Sequence, residues 1–273
     1  MALNYALKNE KITLERNCFD ALVSLDCGQS FRWKKTAENE ITGIAYGREL
    51  TLCQDEETVT FIGTNEEDFN RIWVPYFDLE RDYGSLCERF RADTYLRKAV
   101  NEYYGIRILR QEPWEAVCSF IISQNNNIPR IKGIVERLCE NLGDPLGNGG
   151  FTFPSAQRIA ECGIESLAPL RAGFRAKYII DAAEKVASGE VDFGKIFESD
   201  LETGRDELIK IKGVGEKVAQ CSLLYGFGKV DAFPVDVWVK RIMSELYPDG
   251  LPECTNGVRG IAQQYLFHWR RNL

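Results

Sequence analysis

The chain has almost no histidine and no clustered cysteine. Its 273 residues include one histidine, His268, and nine cysteines, at positions 18, 27, 53, 87, 118, 139, 162, 221 and 254, with no Cys-X-X-Cys pair among them. Structural zinc sites and iron–sulfur clusters draw on sets of such ligands at short spacings, so neither is expected, nor is any transition metal held by side chains. An odd cysteine count leaves at least one thiol unpaired, and scattered thiols read as reduced, which predicts an intracellular protein, in the cytoplasm and nucleoid if the source is bacterial. Long apolar runs are missing as well. The stretch Ala116 to Ser123 is among the longest, far short of the ~20 residues a membrane span needs. The N-terminus is interrupted by charge from Lys8 onward and lacks the apolar core of a signal peptide, so neither a membrane partner nor export is expected. Positive charge is not in excess either: 34 Lys and Arg stand against 41 Asp and Glu, for a net charge of −7 and a pI near 5.1. A polyanion would have to be met by a local basic face.

What is present is an ordinary globular composition, 44% hydrophobic and 27% charged, in a chain long enough for two modest domains. The runs KITLE, SFRWK, ITGIAY, LTLCQ and TVTFIG between Lys11 and Gly63 are short, rich in β-branched and aromatic residues, and separated by polar or glycine breaks; they predict an antiparallel sheet. CFDALVSLD within it reads as a helix with Asn17 as candidate N-cap. From Thr64 or Asn65 the period lengthens and helices dominate: SLCERFRADTYLRKAVNEYYG, PWEAVCSFIISQ, PRIKGIVERLCENLG, PSAQRIAEC, FRAKYIIDAAEKVASG, RDELIKI and EKVAQCSLLYGFG all carry apolar residues at three and four spacing. The fold class is α+β, with a sheet domain over residues 1–110 and a helical domain over 111–273.

The most informative stretch is DELIKIKGVGEKVAQCSLLYGFG, where one apolar helix runs into Gly213-Val214-Gly215 and a second begins at once. The glycines permit a tight hairpin, and Val214 can plug between the helices. Free amides at the second helix's start then favour a phosphate oxygen, a grip on a nucleic-acid backbone that ignores base sequence. A glycine-capped helical corner is the plain alternative for these three residues alone.

Five motifs in order, CGQSFRW, SQNNNIPRIKGIVERLC, GFRAKYI, GVGEKVAQC and FPVDVWVKR, run from residue 27 to 241. Together they resemble the helix-hairpin-helix DNA glycosylases, specifically the 8-oxoguanine DNA glycosylases. The resemblance assigns the nucleophile to Lys217, two residues after the hairpin. With a reference pKa near 10.4, only about four such amines in ten thousand are unprotonated at pH 7, so this chemistry needs desolvation or neighbouring cations; Lys212 is a candidate neighbour. Asp236 follows in Phe233-Pro234-Val235-Asp236, where it can cap the next helix and, by resemblance, stabilise the cationic sugar. A lysine together with this aspartate resembles the bifunctional enzymes, which form a Schiff base and cut the strand by β-elimination.

The resemblance also implies how a lesion is held. Asn125 matches the residue that fills the gap left by the flipped nucleotide, Arg130 and Arg175 match arginines facing the estranged cytosine, and Phe174 matches a wedge position usually held by tyrosine. Any of the three amides Asn125, Asn126 and Asn127 could meet base edges, and Arg130, Lys132, Arg171, Arg175 and Lys177 could form the local positive face. Gly28 matches the glycine whose carbonyl accepts the N7–H that distinguishes 8-oxoguanine from guanine. Cys221 and Phe267 match the two sides of the base sandwich, and Gln263 matches the reader of the Watson–Crick edge.

The position two after Asp236, often histidine in the family, is Trp238 here, and the phosphate contact expected of that histidine must be replaced by an indole N–H or by packing. His268 reads as a surface or structural residue. The implied partner is double-stranded DNA containing 8-oxoguanine, met by a monomer; no redox cofactor is required, and a monovalent cation on the hairpin's backbone carbonyls is implied by the family. An alkylated-base glycosylase and a noncatalytic helix-hairpin-helix protein are the alternatives. An adenine glycosylase or endonuclease III relative is disfavoured because only Cys254 follows Cys221.

Overall fold

Alternation of apolar and polar residues builds the first half of the chain. In the computed structural model, which describes residues 3–8, 11–147 and 149–273, six strands form one antiparallel sheet in the order β1-β2-β6-β5-β4-β3. They are β1 (Tyr5–Lys8), β2 (Lys11–Glu15), β3 (Trp33–Ala37), β4 (Glu40–Ala45), β5 (Arg48–Gln54) and β6 (Thr58–Ile62). The register pairs Ile12 and Leu52 with Phe61, and Leu14 with Val59. All five side chains are buried, as a period of two requires on a sheet with one covered face. Strand β1 had no counterpart in the sequence reading; its burial is slight, so alternation gave no signal. The run SFRWK begins its strand only at Trp33.

The helix after β2, α1 (Ala21–Asp26), is capped by Asp20, whose carboxylate accepts from the Val23 amide. Asn17 is not the cap: its side chain donates to Glu15 instead, and Cys18 at φ 48 turns the chain before the helix starts. Asn65, not Thr64, caps α2 (Glu66–Asp68), which continues through a π-helical turn over Phe69–Trp73 into α3 (Val74–Tyr76). Aromatic residues then close the covered face, with Phe61, Trp33, Trp73 and Phe77 meeting at ring distances of 5.8 to 6.4 Å.

The helical body comprises α4 (Tyr83–Phe90), α5 (Thr94–Glu102), α6 (Pro113–Ser123), α7 (Ile128–Leu142), α8 (Ala156–Cys162), α9 (Ala176–Ser188), α10 (Phe193–Glu198), α11 (Leu201–Ile209), α12 (Glu216–Tyr225), α13 (Val237–Leu246) and α14 (Arg259–Arg271). The stretch SLCERFRADTYLRKAVNEYYG, read above as continuing helix, is two helices, because Asp93 accepts from the Tyr95 and Leu96 amides and starts α5. Helix α6 is buried from Trp114 to Ile122 and forms the axis of this body. The two hydrophobic cores interleave along the chain: residues of α4 and α5 pack with the helices, while Leu109 packs with the sheet. Gln29 and Gln111 join the two, the Gln29 amide accepting from the Leu109 N–H and the Gln111 amide donating to the Gln29 carbonyl. No helix among the described residues is long and apolar enough to cross a membrane.

Candidate active site

The hairpin is built as its glycines suggest. Gly213 sits at φ +80, and a Cβ there would come within 2.4 Å of the Tyr178 ring, so only glycine fits. Val214 is 5% exposed, plugged between α11 and α12. Gly215 begins α12 with no side-chain cap, whereas Asn127 and Asp236 cap α7 and α13 through their side chains. The first-turn amides of α12 therefore await an acceptor from outside the chain.

Lys217 is the second residue of α12. Its Nζ lies 3.4 Å from Ser123 Oγ and 5.5 Å from the centre of the Phe120 ring. Ser123 gives its own hydrogen to the Phe120 carbonyl, so it faces the amine as an acceptor. Asp236 takes the Trp238 and Val239 amides on a single oxygen, Oδ1, which leaves Oδ2 with no partner among the described residues. Capping thus uses one oxygen of the carboxylate and leaves the other open.

Lys217 and Asp236 open onto a cavity of about 70 Å³ whose walls include Gly28, Cys221, Gln263 and Phe267. Every residue assigned above to the lesion pocket lines this one space. Cys221 is buried, and burial pushes its thiol upward in pKa while the Lys217 charge pulls the other way. Gln263 Nε2 donates to the Pro234 carbonyl at 2.7 Å, and its Oε1 is buried with no hydrogen-bond partner among the described residues. An orphaned acceptor of this kind costs free energy unless a ligand donor meets it. Phe120, Tyr225, Pro234 and Gln264 also line the cavity and were missed in the sequence. The one available signal was Tyr225, which falls eight residues after Lys217 and so on the same helical face.

The duplex-facing residues lie on two loops that the fold brings together. Arg175 is 2% exposed, and its guanidinium donates to the carbonyls of Gln124, Asn125 and Ala172, fastening the asparagine loop to the Gly173–Arg175 turn. Burial, with the nearby Arg130 charge, lowers its pKa. Asn125 is the exposed tip, at φ 45. The next two asparagines are engaged by the backbone: the Asn126 amide donates to the Ile122 carbonyl, and the Asn127 side-chain oxygen caps α7. Phe174 is 48% exposed, an aromatic ring presented to solvent beside the Arg175 guanidinium and the Tyr178 ring. Lys132 is drawn out of the positive face, since its ammonium donates to the Trp33 carbonyl. Arg130, Arg171 and Lys177 are exposed and have no ion-pair partner among the described residues.

Trp238 is half-buried, and its ring lies 5.5 Å from the Arg241 guanidinium. His268 packs edge-on against Tyr103 at 4.4 Å, and burial lowers its pKa. It lies outside the residues that line the lysine cavity.

Residues 11–117 match the family described as the 8-oxoguanine DNA glycosylase N-terminal domain, and residues 118–251 match the HhH-GPD superfamily of base excision DNA repair proteins. The chain is 32% identical to the N-glycosylase/DNA lyase of Saccharomyces cerevisiae over 82% of its own length and 67% of that relative's. The chain belongs to the 8-oxoguanine DNA glycosylase family. Among solved structures it is similar to MBOgg1 in complex with a low-affinity DNA ligand, at a TM-score of 0.93 and 40% identity over 100% of this chain and 99% of that one. It is equally similar in fold to the 8-oxoguanine glycosylase/lyase of Clostridium acetobutylicum, in complex with double-stranded DNA containing cytosine opposite 8-oxoguanine. That match has a TM-score of 0.91 and 36% identity over 100% of this chain and 99% of the other.

Proposed function

We propose that the protein is a bifunctional DNA glycosylase and AP lyase of base excision repair. It flips 8-oxoguanine out of duplex DNA, preferably where the base lies opposite cytosine, excises it and cuts the strand. The carrying observation is the convergence of Lys217, Asp236 and the four assigned pocket residues on one cavity, in a chain similar over its whole length to a glycosylase/lyase that acts on this lesion.

The flipped base lies between Cys221 and Phe267. Its Watson–Crick edge carries two N–H donors, which suit the free Oε1 of Gln263, held in that orientation by the Pro234 carbonyl. The Gly28 carbonyl accepts the N7–H that guanine lacks. Asn125 and Phe174 occupy and wedge the gap, Arg130 and Arg175 meet the unpaired cytosine, and the first-turn amides of α12 hold a phosphate.

The unprotonated Lys217 amine attacks C1′. The N-glycosidic bond breaks, its electron pair leaves with the base, and the base takes up a proton. Asp236 stabilises positive charge on the sugar as that bond lengthens. Loss of the remaining amine proton and opening of the sugar ring give an imine between Nζ and C1′. Removal of a C2′ proton then expels the 3′ phosphate with the C3′–O electrons, and water hydrolyses the imine to restore the lysine.

The reaction as written consumes only water, and one protein chain supplies every group it needs. Among the described residues no three or more His, Cys, Asp or Glu are grouped to hold a metal, so a cation at the hairpin would be held by backbone oxygens, a donor set suited to a singly charged ion. The proposed place of action is inside the cell, at its DNA.

The test is borohydride trapping on duplex DNA with one 8-oxoguanine opposite cytosine. Wild type is expected to form a covalent adduct and Lys217→Gln none. Excision without an adduct in both proteins would replace the lysine mechanism with a water-using one.

A further inference from the structure

A glycine that must present one carbonyl at one place is poorly suited to hold itself there, because glycine has the widest choice of backbone conformations. Gly28 is at φ +86 and is not packed tightly: a Cβ placed on it would find its nearest neighbours at 3.8 and 3.9 Å. What restrains it lies in the peptides on either side.

On the far side, the Gln29 side chain is anchored at both ends. Its Nε2 donates to the Arg107 carbonyl at 2.8 Å, and its Oε1 accepts from the Leu109 amide at 3.0 Å. On the near side, the Cys27 carbonyl accepts from Gln264 Nε2 at 3.2 Å, and the Gln264 Oε1 accepts from the Tyr225 hydroxyl at 2.6 Å. Gln264 is 3% exposed and Tyr225 6%. An amide can turn end for end, and an amide oxygen placed against the Cys27 carbonyl would repel it. The Tyr225 hydroxyl works against that turn, since the oxygen end gives its hydrogen an acceptor and the nitrogen end does not. Tyr225 is itself fixed by stacking on Phe120 at 5.3 Å with the rings 22° apart.

We infer that Tyr225 and Gln264 are positioning residues for lesion discrimination: the relay from the Tyr225 hydroxyl through the Gln264 amide to the Cys27 carbonyl sets where the Gly28 carbonyl stands. The inference rests on the assignment of Gly28 as the N7–H acceptor proposed above. The relay joins α12, which carries Lys217, and α14, which carries Gln263 and Phe267, to the segment between α1 and β3. It therefore ties the discriminating carbonyl to the helices that hold the rest of the pocket.

Binding of duplexes containing 8-oxoguanine opposite cytosine, and of otherwise identical duplexes with guanine, tests this in a Lys217→Gln background, where no turnover interferes. Adding Gln264→Met is expected to reduce the affinity ratio between the two duplexes about tenfold, the scale of one misplaced hydrogen bond. Tyr225→Phe is expected to reduce it several-fold, and the double variant to reach no further than Gln264→Met alone, because both act through one contact. Thermal unfolding of each variant identifies those that fold. An unchanged ratio in folded Tyr225→Phe and Gln264→Met, or a loss of affinity shared equally by both duplexes, overturns the relay while leaving the proposed function in place. A parent protein that does not distinguish the two duplexes overturns the reading of the pocket itself.

Discussion

Two cavities of this protein differ in a way that size does not predict. The space at Lys217 is about 70 Å³. A cavity of about 350 Å³ lies where β3 and β4 face α7, lined in part by Arg32, Lys34, Val135 and Phe151. The larger one looks the better binding site by volume, but its three lining cations, Arg32, Lys34 and Lys132, are already engaged. Arg32 pairs with Glu115 and donates to the Phe151 carbonyl, and Lys34 pairs with Glu136. The smaller one keeps an amine facing a neutral hydroxyl, a carboxylate oxygen and an amide oxygen unspent. Unsatisfied polar groups in a confined space mark a site better than space does, because each is worth more when a ligand completes it than when water does.

The comparison is broken or sharpened by substitutions at four positions. Asp236→Asn keeps a good N-cap and should leave stability within about 0.5 kcal/mol, while slowing single-turnover excision roughly 10²- to 10³-fold; equal loss of stability and rate would reduce Asp236 to a cap.

In the larger cavity's neighbourhood the effect should fall on stability. Burial, partly offset by Arg32, raises the pKa of Glu115 from 4.5 to about 7. The folded state then binds more protons than the unfolded one between those values, so its stability falls as pH rises from 4.5 through 7. The unfolding free energy of Glu115→Gln relative to wild type should therefore climb by about 3 kcal/mol over that window, with borohydride trapping retained at every pH. Parallel denaturation curves at pH 5 and pH 8 would remove this account of the buried pair.

Gly213→Ala meets both a positive φ and the Tyr178 ring, and should cost roughly 2 kcal/mol in denaturant unfolding with a loss of affinity for undamaged duplex. Phe174→Tyr should have the smallest effect, within about twofold in excision, since wedging needs the ring and not the hydroxyl; Phe174→Ala is the contrast that should fail.

Much of this was legible in advance. Period-two alternation identified four of the strands and placed the start of β3 three residues early, and glycine punctuation found the hairpin. Five ordered motifs singled out Lys217, Asp236, Gly28 and Cys221, and the later stretch AQQYLF carried Gln263 and Phe267. What was misread shares a cause. Asn126, Asn127 and Lys132 are polar residues in a promising context, and each is partly or wholly engaged by a backbone group that sequence spacing does not reveal. Asn17 lost the capping role to Asp20 because a left-handed residue intervenes. Gln264 carried no signal, and Tyr225 only its place on the Lys217 face of the helix, because a hydrogen bond between residues 39 apart in sequence has no local signature.

By itself, then, the order of residues determined most of the secondary structure and the candidates for the reactive groups, since both depend on local backbone preference and on chemistry carried within a few residues. Only tertiary packing decided which polar groups are spent and which are left open. It closed residues 27–28, 217–236 and 263–267 around one cavity, and satisfaction of a donor or acceptor depends on neighbours that come from anywhere in the chain.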